Sequence, residues 1–154
     1  MKKAELRRIL LAEDDDNDAE LTLDALRSLR LANEVVRVKD GAEALDYLHR
    51  RNAYAGRSAG NPALILLDLK MPKVDGLEVL SAVKAHPAFR MIPVCVLTSS
   101  REERDLTQSY GMGVNAYVVK PVEFGQFIEA LKVLGAFWAV VNEPPVTSHA
   151  AAGE

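Results

Sequence analysis

Residues 64–67 are four consecutive apolar residues, and a carboxylate, Asp68, follows them directly. A short run without polar residues is typical of a strand that is buried on both faces, in the middle of a parallel sheet. The Met-Pro and Asp-Gly pairs within residues 71–76 predict a turn, after which apolar residues recur at helical spacing. Asp68 is therefore expected at the carboxyl end of a central strand, where open α/β sheets bind their ligands. Because a buried strand has no structural use for a charge, Asp68 is the residue that most needs a functional explanation.

The same order of strand and helix repeats along the chain. Short apolar segments predict strands at residues 9–12, 34–38, 64–67, 92–97 and 116–119. Helices are predicted at residues 17–31, from residue 41 onward, and at 76–85, 101–111 and 122–142. Because alternation of this kind requires right-handed crossovers, the sequence predicts a doubly wound α/β fold with five parallel strands and five helices.

Length, charge and cysteine content narrow the class of protein. One domain is expected over residues 1–142, and the Pro-, Ala- and Gly-containing residues 143–154 are predicted to be a disordered tail. The net charge of −3 gives no reason to expect nucleic acid or an anionic membrane as a partner. No apolar run approaches the roughly 18 residues of a membrane span. A single cysteine, Cys95, excludes an intramolecular disulfide, so the cytoplasm is the expected compartment.

Polar residues end four of the predicted strands. In chain order they are Glu13 and Asp14, Asp68, Thr98 and Ser99, and Lys120. The carboxyl ends of parallel strands lie on one edge of a sheet, so these groups are expected to meet in one cleft. Three carboxylates there would repel one another unless a hard divalent cation such as Mg²⁺ compensated their charge. A carboxylate nucleophile, Mg²⁺, a lysine and a hydroxyl together suit phosphoryl transfer to Asp68.

This ordered set of residues resembles the receiver domain of two-component response regulators over about residues 7–135. It also contains Met71-Pro72 and Asp75-Gly76 after the central strand, and residues 117–121 at the last one. The resemblance implies a flavodoxin-like receiver fold in which Asp68 accepts a phosphoryl group from a histidine kinase. Such a domain promotes only its own phosphorylation and dephosphorylation. Because no output domain is predicted after residue 142, a single-domain regulator that acts by binding, dimerisation or relay is expected.

The resemblance implies a metal site and a role for each ligand. Asp14, Asp68 and the main-chain carbonyl of Lys70 would bind Mg²⁺, and Glu13 would act on the metal through water. Lys70 also stands two residues after Asp68, where a side chain can touch the phosphoryl group.

The resemblance further implies the residues of the switch. Lys120 would pair with the phosphoryl group, and Thr98 would move to hydrogen-bond to it. Ser99 would leave the entry to Asp68 open, and Tyr117 would change its rotamer together with Thr98. The peptide bond before Pro121 would be cis, which proline tolerates.

The match is closer still to the regulators encoded with bacterial and cyanobacterial phytochromes. Its features are the long loop at residues 54–62, the segment 135–138 and the segment 142–145. These features imply a bacteriophytochrome as the partner kinase.

The last predicted helix carries two apolar stripes about 100° apart. The first stripe, which includes Phe127 and Leu131, is expected to pack on the sheet. The second, which is interpreted as a homodimer interface, contains Ala130, Val133, Phe137, Val140 and Val141. The alternatives are a wide core-facing surface and packing of the C-terminal tail.

Three other functions compete with a phosphorylation switch. A receiver-shaped interaction module that is never phosphorylated would use the same fold. A phosphatase of the haloacid-dehalogenase kind would need a second aspartate two residues after the nucleophile, where this chain has Lys70. A flavin-binding flavodoxin would need a phosphate loop after the first strand, and the acidic residues 13–16 would repel a phosphate.

The remaining acidic residues of this segment, Asp15, Asp16 and Asp18, are interpreted as a solvated loop and a helix cap without a chemical role. Asp75 is likewise interpreted as the cap of the following helix.

Overall fold

Five parallel strands alternate with helices in the computed structural model, which describes residues 8–29, 34–99, 111, 114 and 116–135. The strands are β1 (Ile9–Ala12), β2 (Val35–Val38), β3 (Leu64–Asp68), β4 (Val94–Thr98) and β5 (Tyr117–Val119). The helices are α1 (Asp16–Arg27), α2 (Gly41–His49), α3 (Gly76–Ala85) and α4 (Phe124–Val133), with a short 3₁₀ helix at Asn52–Tyr54. Most of the predicted helix at 101–111, the predicted continuation of the last helix to residue 142 and the tail lie outside the described residues.

The sheet has the strand order β2-β1-β3-β4-β5, and every neighbouring pair is parallel. The prediction of a doubly wound parallel sheet is therefore confirmed, and β3 is its central strand. From β1 the chain moves to the edge strand β2 and then returns to β3 on the other side of β1. This reversal of direction places the ligand crevice of such folds at the carboxyl ends of β1 and β3. Among the described residues, none of the helices has the length and apolar character needed to cross a bilayer.

Side chains of the central strands alternate between two apolar layers, as the pleat of a strand requires. On one side of the sheet, Leu64 and Leu66 belong to a cluster with Leu26 of α1 and Phe127 of α4. On the other side, residues including Ile65 and Leu67 pack in a cluster with side chains of α2 and α3. All five residues of β3 are buried, which confirms the predicted burial of this strand on both faces.

Aspartate caps begin the first three helices. Asp15 accepts a hydrogen bond of 2.8 Å from the main-chain N–H of Asp18, and Asp40 caps α2 in the same manner. Asp75 and Glu78 form a reciprocal capping box at the start of α3. The cap predicted at Asp75 is confirmed, and of the two candidates for α1, Asp15 and Asp16, the cap is Asp15. These caps fix where each helix departs from the carboxyl edge of the sheet.

Two glycines allow the loop after β3 to pack against neighbouring main chain. A Cβ at Gly76 would overlap the carbonyl oxygen of Asp68, and a Cβ at Gly41 would overlap the carbonyl oxygen of Val74. The first residue of α2 and the first residue of α3 therefore both press directly on the segment that surrounds Asp68.

We expect the substitution Gly76→Ala to lower the free energy of unfolding by about 1–3 kcal/mol, because main-chain atoms cannot yield to the added methyl group as a flexible side chain would. The matched control is Gly125→Ala. Gly125 also lies in a helix, but a Cβ added there would have no neighbouring atom within 4 Å. That control should raise the free energy of unfolding by about 0.5–1 kcal/mol through helix propensity. Urea denaturation measures both, and equal effects of the two substitutions would contradict the close approach at Gly76.

Candidate functional site

The ammonium group of Lys120 lies among carboxylates from three segments of the chain. Its Nζ atom is 2.9 Å from Glu13 Oε1, 3.1 Å from Asp18 Oδ2 and 3.3 Å from Asp68 Oδ1. The main chain positions this lysine just beyond β5, because its N–H donates to the carbonyl of Thr98 over 2.8 Å. The peptide bond between Lys120 and Pro121 is cis, as expected. Lys120 is therefore built into the carboxyl edge of the sheet, where the sequence predicted it.

The three predicted acidic residues come together next to this lysine. One carboxylate oxygen from each of Glu13, Asp14 and Asp68 lies within 4.8 Å of the other two. Glu13 is fully buried and Asp68 is nearly so, whereas Asp14 is exposed and leaves the cluster open to solvent. Carboxylate oxygens around an opening of this kind suit a hard divalent cation that keeps several of its waters.

One oxygen of this cluster is buried without a hydrogen bond. Glu13 Oε2 accepts from the main-chain N–H of Asp15 over 3.2 Å. Glu13 Oε1 has no hydrogen-bond partner, although the Lys120 ammonium is near enough to form an ion pair. Buried polar atoms are normally satisfied, so this oxygen is consistent with a cation or its water as a further partner. The residues present therefore fit Mg²⁺.

Burial raises the pKa of both inner carboxyl groups. For Glu13, burial and the negative charge of Asp68 outweigh the nearby ammonium and raise the pKa to about 7. Burial also raises the pKa of Asp68, against the opposing charge of Lys120. Burial alone would lower the pKa of Lys120, but the surrounding carboxylates outweigh it and the pKa is raised. The lysine therefore remains charged, while the metal-free carboxylates resist ionisation.

The predicted switch residues surround the same edge. Asp68 pairs with Leu97 in the sheet register, so the fully buried Thr98 stands one residue beyond it on the neighbouring strand. Ser99 is exposed, and Tyr117 is half-buried against the layer of side chains that includes α2 and α3. The loop after β3 turns back at Lys70, whose N–H donates to Asp68 Oδ1 over 3.3 Å. The structure therefore places these residues near the predicted site, and their movements stay predictions.

The interpretation of Asp18 as part of a solvated loop was wrong. It lies in the first turn of α1, and its carboxylate accepts a hydrogen bond from Lys120 Nζ. The signal in the sequence is its position, one helical turn after the cap Asp15 in a helix that begins beside the site. Sequence reasoning grouped Asp18 with Asp15 and Asp16 as loop and cap residues and missed its contact with the lysine.

A second residue that sequence reasoning missed is Arg37. Its guanidinium donates two hydrogen bonds, of 3.0 and 2.8 Å, to the main-chain carbonyl of Glu13, and it also pairs with Asp16. Arg37 is the single charged residue of β2, which is otherwise valine. The available signal in the sequence was a lone charge in a short apolar strand. Through its hydrogen bonds to the carbonyl of Glu13, Arg37 holds the end of β1 in place.

Of the predicted dimer residues, Ala130 is 4% exposed and packs in the core cluster with Phe127 and Leu131, so its assignment to the interface was wrong. Val133 is also described and is 61% exposed. Phe137, Val140 and Val141 lie outside the described residues.

Comparison with known proteins places this arrangement in a family. The family model of the response regulator receiver domain matches residues 9–132 of this chain. Response regulator Rcp1 of Synechocystis sp. is 36% identical over 130 residues, which are 84% of this chain and 87% of that protein. The solved structure of the bacteriophytochrome response regulator RtBRR is 60% identical, with a TM-score of 0.85, and the match covers 96% of this chain and 89% of that one.

Two further solved structures contain a modification or a metal ion. The phosphorylated cyanobacterial phytochrome response regulator RcpA is 41% identical, with a TM-score of 0.70, over 87% of this chain and 94% of that one. The Mn²⁺-bound form of Rcp1 is 34% identical, with a TM-score of 0.70, over 91% of this chain and 99% of that one.

We expect the free energy of unfolding of the metal-free protein to fall as the pH rises from about 5 to about 8. The folded-state pKa of Glu13 is about 7, whereas the ordinary value of 4.5 applies to the unfolded chain. Between these values the folded state binds more protons, so the stability that is present below 4.5 is lost as the pH passes through about 7. The raised pKa of Asp68 acts in the same direction.

Urea denaturation in EDTA across this pH range measures the effect. Glu13→Gln should remove most of the slope, and Glu20→Gln, on the exposed face of α1, should keep it. Saturating Mg²⁺ should oppose the decline, since a cation binds the ionised carboxylates of the folded state. A metal-free wild type whose stability is constant or increases with pH would contradict the raised pKa of Glu13.

Proposed function

This chain belongs to the response regulator receiver family, and we propose that Asp68 is its phosphoacceptor in a Mg²⁺-dependent phosphorylation switch. One observation carries the proposal. A buried aspartate at the carboxyl edge of the central strand lies 3.3 Å from a lysine ammonium and beside two further carboxylates that can hold a cation. Family membership also decides against the dehalogenase-type phosphatase and the flavin-binding alternatives.

The proposed reaction moves a phosphoryl group from a histidine to Asp68. A carboxylate oxygen of Asp68 forms a bond to phosphorus, the phosphorus–nitrogen bond breaks, and its electron pair leaves with the imidazole, which takes a proton from solvent. Lys120 donates to the phosphoryl oxygens and neutralises their charge. Mg²⁺, when held by Asp14, Asp68 and the carbonyl of Lys70 with Glu13 acting through water, supplies further charge neutralisation.

The phosphorylated state is proposed to be read through Thr98 and Tyr117. Thr98 follows Leu97, the sheet partner of Asp68, so it stands at the same edge of the sheet beside the proposed phosphoacceptor. Tyr117 of β5 pairs with Val96 of β4, the strand that carries Thr98, and its half-buried ring can follow a movement of Thr98. Ser99, which is small and exposed, leaves the approach to Asp68 open.

A histidine kinase of the bacteriophytochrome type is the proposed phosphodonor. Support comes from the 60% identity with the bacteriophytochrome response regulator RtBRR. Because the chemistry modifies only the chain itself, the domain is proposed to act as a signalling switch and not as an enzyme with a separate substrate. The single cysteine lies in a buried strand and needs no oxidising compartment, which supports action in the cytoplasm.

With acetyl phosphate and Mg²⁺, we expect the wild type to gain the mass of one phosphoryl group and Asp68→Asn to gain none. The adduct should be labile to hydroxylamine, because it is an acyl phosphate. Asp75→Asn is the matched control: it changes a nearby aspartate, and asparagine caps a helix as well as aspartate does. That variant should be phosphorylated like the wild type.

The same mass spectrum, with an autophosphorylated bacteriophytochrome kinase as donor, tests the proposed partner. A wild type that is modified by neither donor would contradict the switch and favour the interaction module that is never phosphorylated. Modification of Asp68→Asn would place the phosphoacceptor elsewhere.

We also propose that the chain forms a homodimer through its last helix. The support is exposed apolar surface where β5 meets α4, in which Val119 and Val133 are 36% and 61% exposed. A groove between β5 and α4 continues this surface, with Tyr117 and Gln126 in its wall. Exposed apolar surfaces of this kind are typical of contact sites.

Analytical ultracentrifugation at high micromolar concentration should show a wild-type dimer and a larger monomer fraction for Val133→Lys. A lysine near the C-terminus of a helix is compatible with the helix dipole, so the substitution should leave the fold intact. Met91→Lys is the control, since Met91 is 84% exposed and its buried neighbours Phe89 and Ile92 belong to the layer that includes α2 and α3, not α4. A wild type that remains monomeric with and without acetyl phosphate would contradict the dimer.

A further inference from the structure

We propose that Asp18 is a positioning residue that restrains the ammonium of Lys120 and thereby limits how readily Asp68 is phosphorylated. The proposal rests on the proposed function of Asp68. Asp18 lies outside the carboxylate cluster that can hold a cation. Its contact with the active lysine therefore has no explanation in metal binding.

The contact between Asp18 and Lys120 is a formed hydrogen bond. Lys120 Nζ donates to Asp18 Oδ2 over 3.1 Å, and it also forms ion pairs with Glu13 Oε1 at 2.9 Å and Asp68 Oδ1 at 3.3 Å. A lysine ammonium has three donors, and carboxylates from three segments lie within 3.3 Å of this one. A phosphoryl oxygen that binds Lys120 must therefore displace a carboxylate oxygen.

The position of Asp18 is fixed by the main chain around it. Its N–H donates to the cap Asp15 over 2.8 Å, and its carbonyl accepts from the hydroxyl of the buried Thr22 over 2.9 Å. The helix turn that carries the carboxylate is thus held at both its N–H and its carbonyl. The side chain starts from a rigid element, which makes it a lasting restraint on Lys120.

A bound cation would change the charge of Glu13 and Asp68 but not that of Asp18. A cation on the cluster would neutralise Glu13 and Asp68, and their attraction for Lys120 would weaken. The charge of Asp18, outside the cluster, would stay and would keep its hold on the ammonium. In the metal-loaded site Asp18 is therefore the main competitor of the phosphoryl group for Lys120.

Asp18 also adds negative charge where a phosphoryl group must arrive. One ammonium touches both Asp18 and Asp68 at 3.1 and 3.3 Å, so these two carboxylate oxygens are at most about 6.4 Å apart, a distance at which charges interact strongly. A phosphoryl group brings about two further negative charges. Because the Asp18 side chain is 32% exposed, solvent screens part of this repulsion and the expected effect is moderate.

The test compares the wild type with Asp18→Asn, using trifluoroberyllate as a mimic of the phosphoryl group at saturating Mg²⁺. Calorimetry should show about three- to tenfold tighter binding of the mimic to the variant, and acetyl phosphate should modify the variant faster by a similar factor. Asp16→Asn is the matched control. It removes the same charge from the same helix turn, but Asp16 pairs with Arg37, which keeps its two hydrogen bonds to the carbonyl of Glu13.

Binding of Mg²⁺ alone separates this role from a merely structural one. Asp18→Asn should bind Mg²⁺ equally or more weakly, since a nearby negative charge is lost, while it binds the phosphoryl mimic more tightly. If Asp18→Asn merely loosened the site, it would bind both Mg²⁺ and trifluoroberyllate more weakly, and that outcome would overturn the proposal. Equal affinity of Asp18→Asn and Asp16→Asn for trifluoroberyllate would overturn it as well. A wild type that binds Mg²⁺ but no trifluoroberyllate would instead contradict the phosphoacceptor function of Asp68.

Discussion

The attraction between one partly buried ammonium and several carboxylates holds the functional edge of this protein together. Buried charges are tolerated only when they are paired, and Lys120 is the partner for a fully buried Glu13 and a nearly buried Asp68. The contacts join the ends of β1, β3 and β5 to the first turn of α1. A change of charge at Asp68 therefore alters the contacts of Lys120 with segments that are distant in sequence. A switch requires such coupling.

Much of this arrangement could be predicted because burial leaves a clear pattern. The β3 strand is buried on both faces, so its residues are uniformly apolar and Asp68 stands out at its end. In a parallel sheet, every strand end that carries a polar residue lies on the same edge, so Glu13, Thr98 and Lys120 could be assigned to one site without knowledge of the register. The family resemblance added their roles and the cis peptide before Pro121, which no periodicity indicates.

The other contacts of the site depend on three-dimensional geometry, which the periodicity of apolar residues in the sequence does not encode. A helical pattern shows which face of α1 is buried, but not which acidic residue at its edge reaches a lysine 102 positions later, and Asp18 was misjudged for that reason. Arg37 acts through the carbonyl of Glu13, a main-chain contact that has no signature in side-chain types. The tight approach of Gly41 to Val74 likewise joins the start of α2 to the loop after β3, and only the folded chain brings these two segments together.

The chemistry of the lone cysteine has a practical consequence. Cys95 is fully buried in the central part of the sheet, and burial raises the pKa of its thiol to about 12. Because the thiolate is the reactive form, this native thiol should be almost inert towards maleimide reagents in the folded protein. A single cysteine introduced on the exposed surface of α1 or α4 could thus be labelled selectively without first removing the native one. The switch could then be followed optically in a chain whose core is left intact.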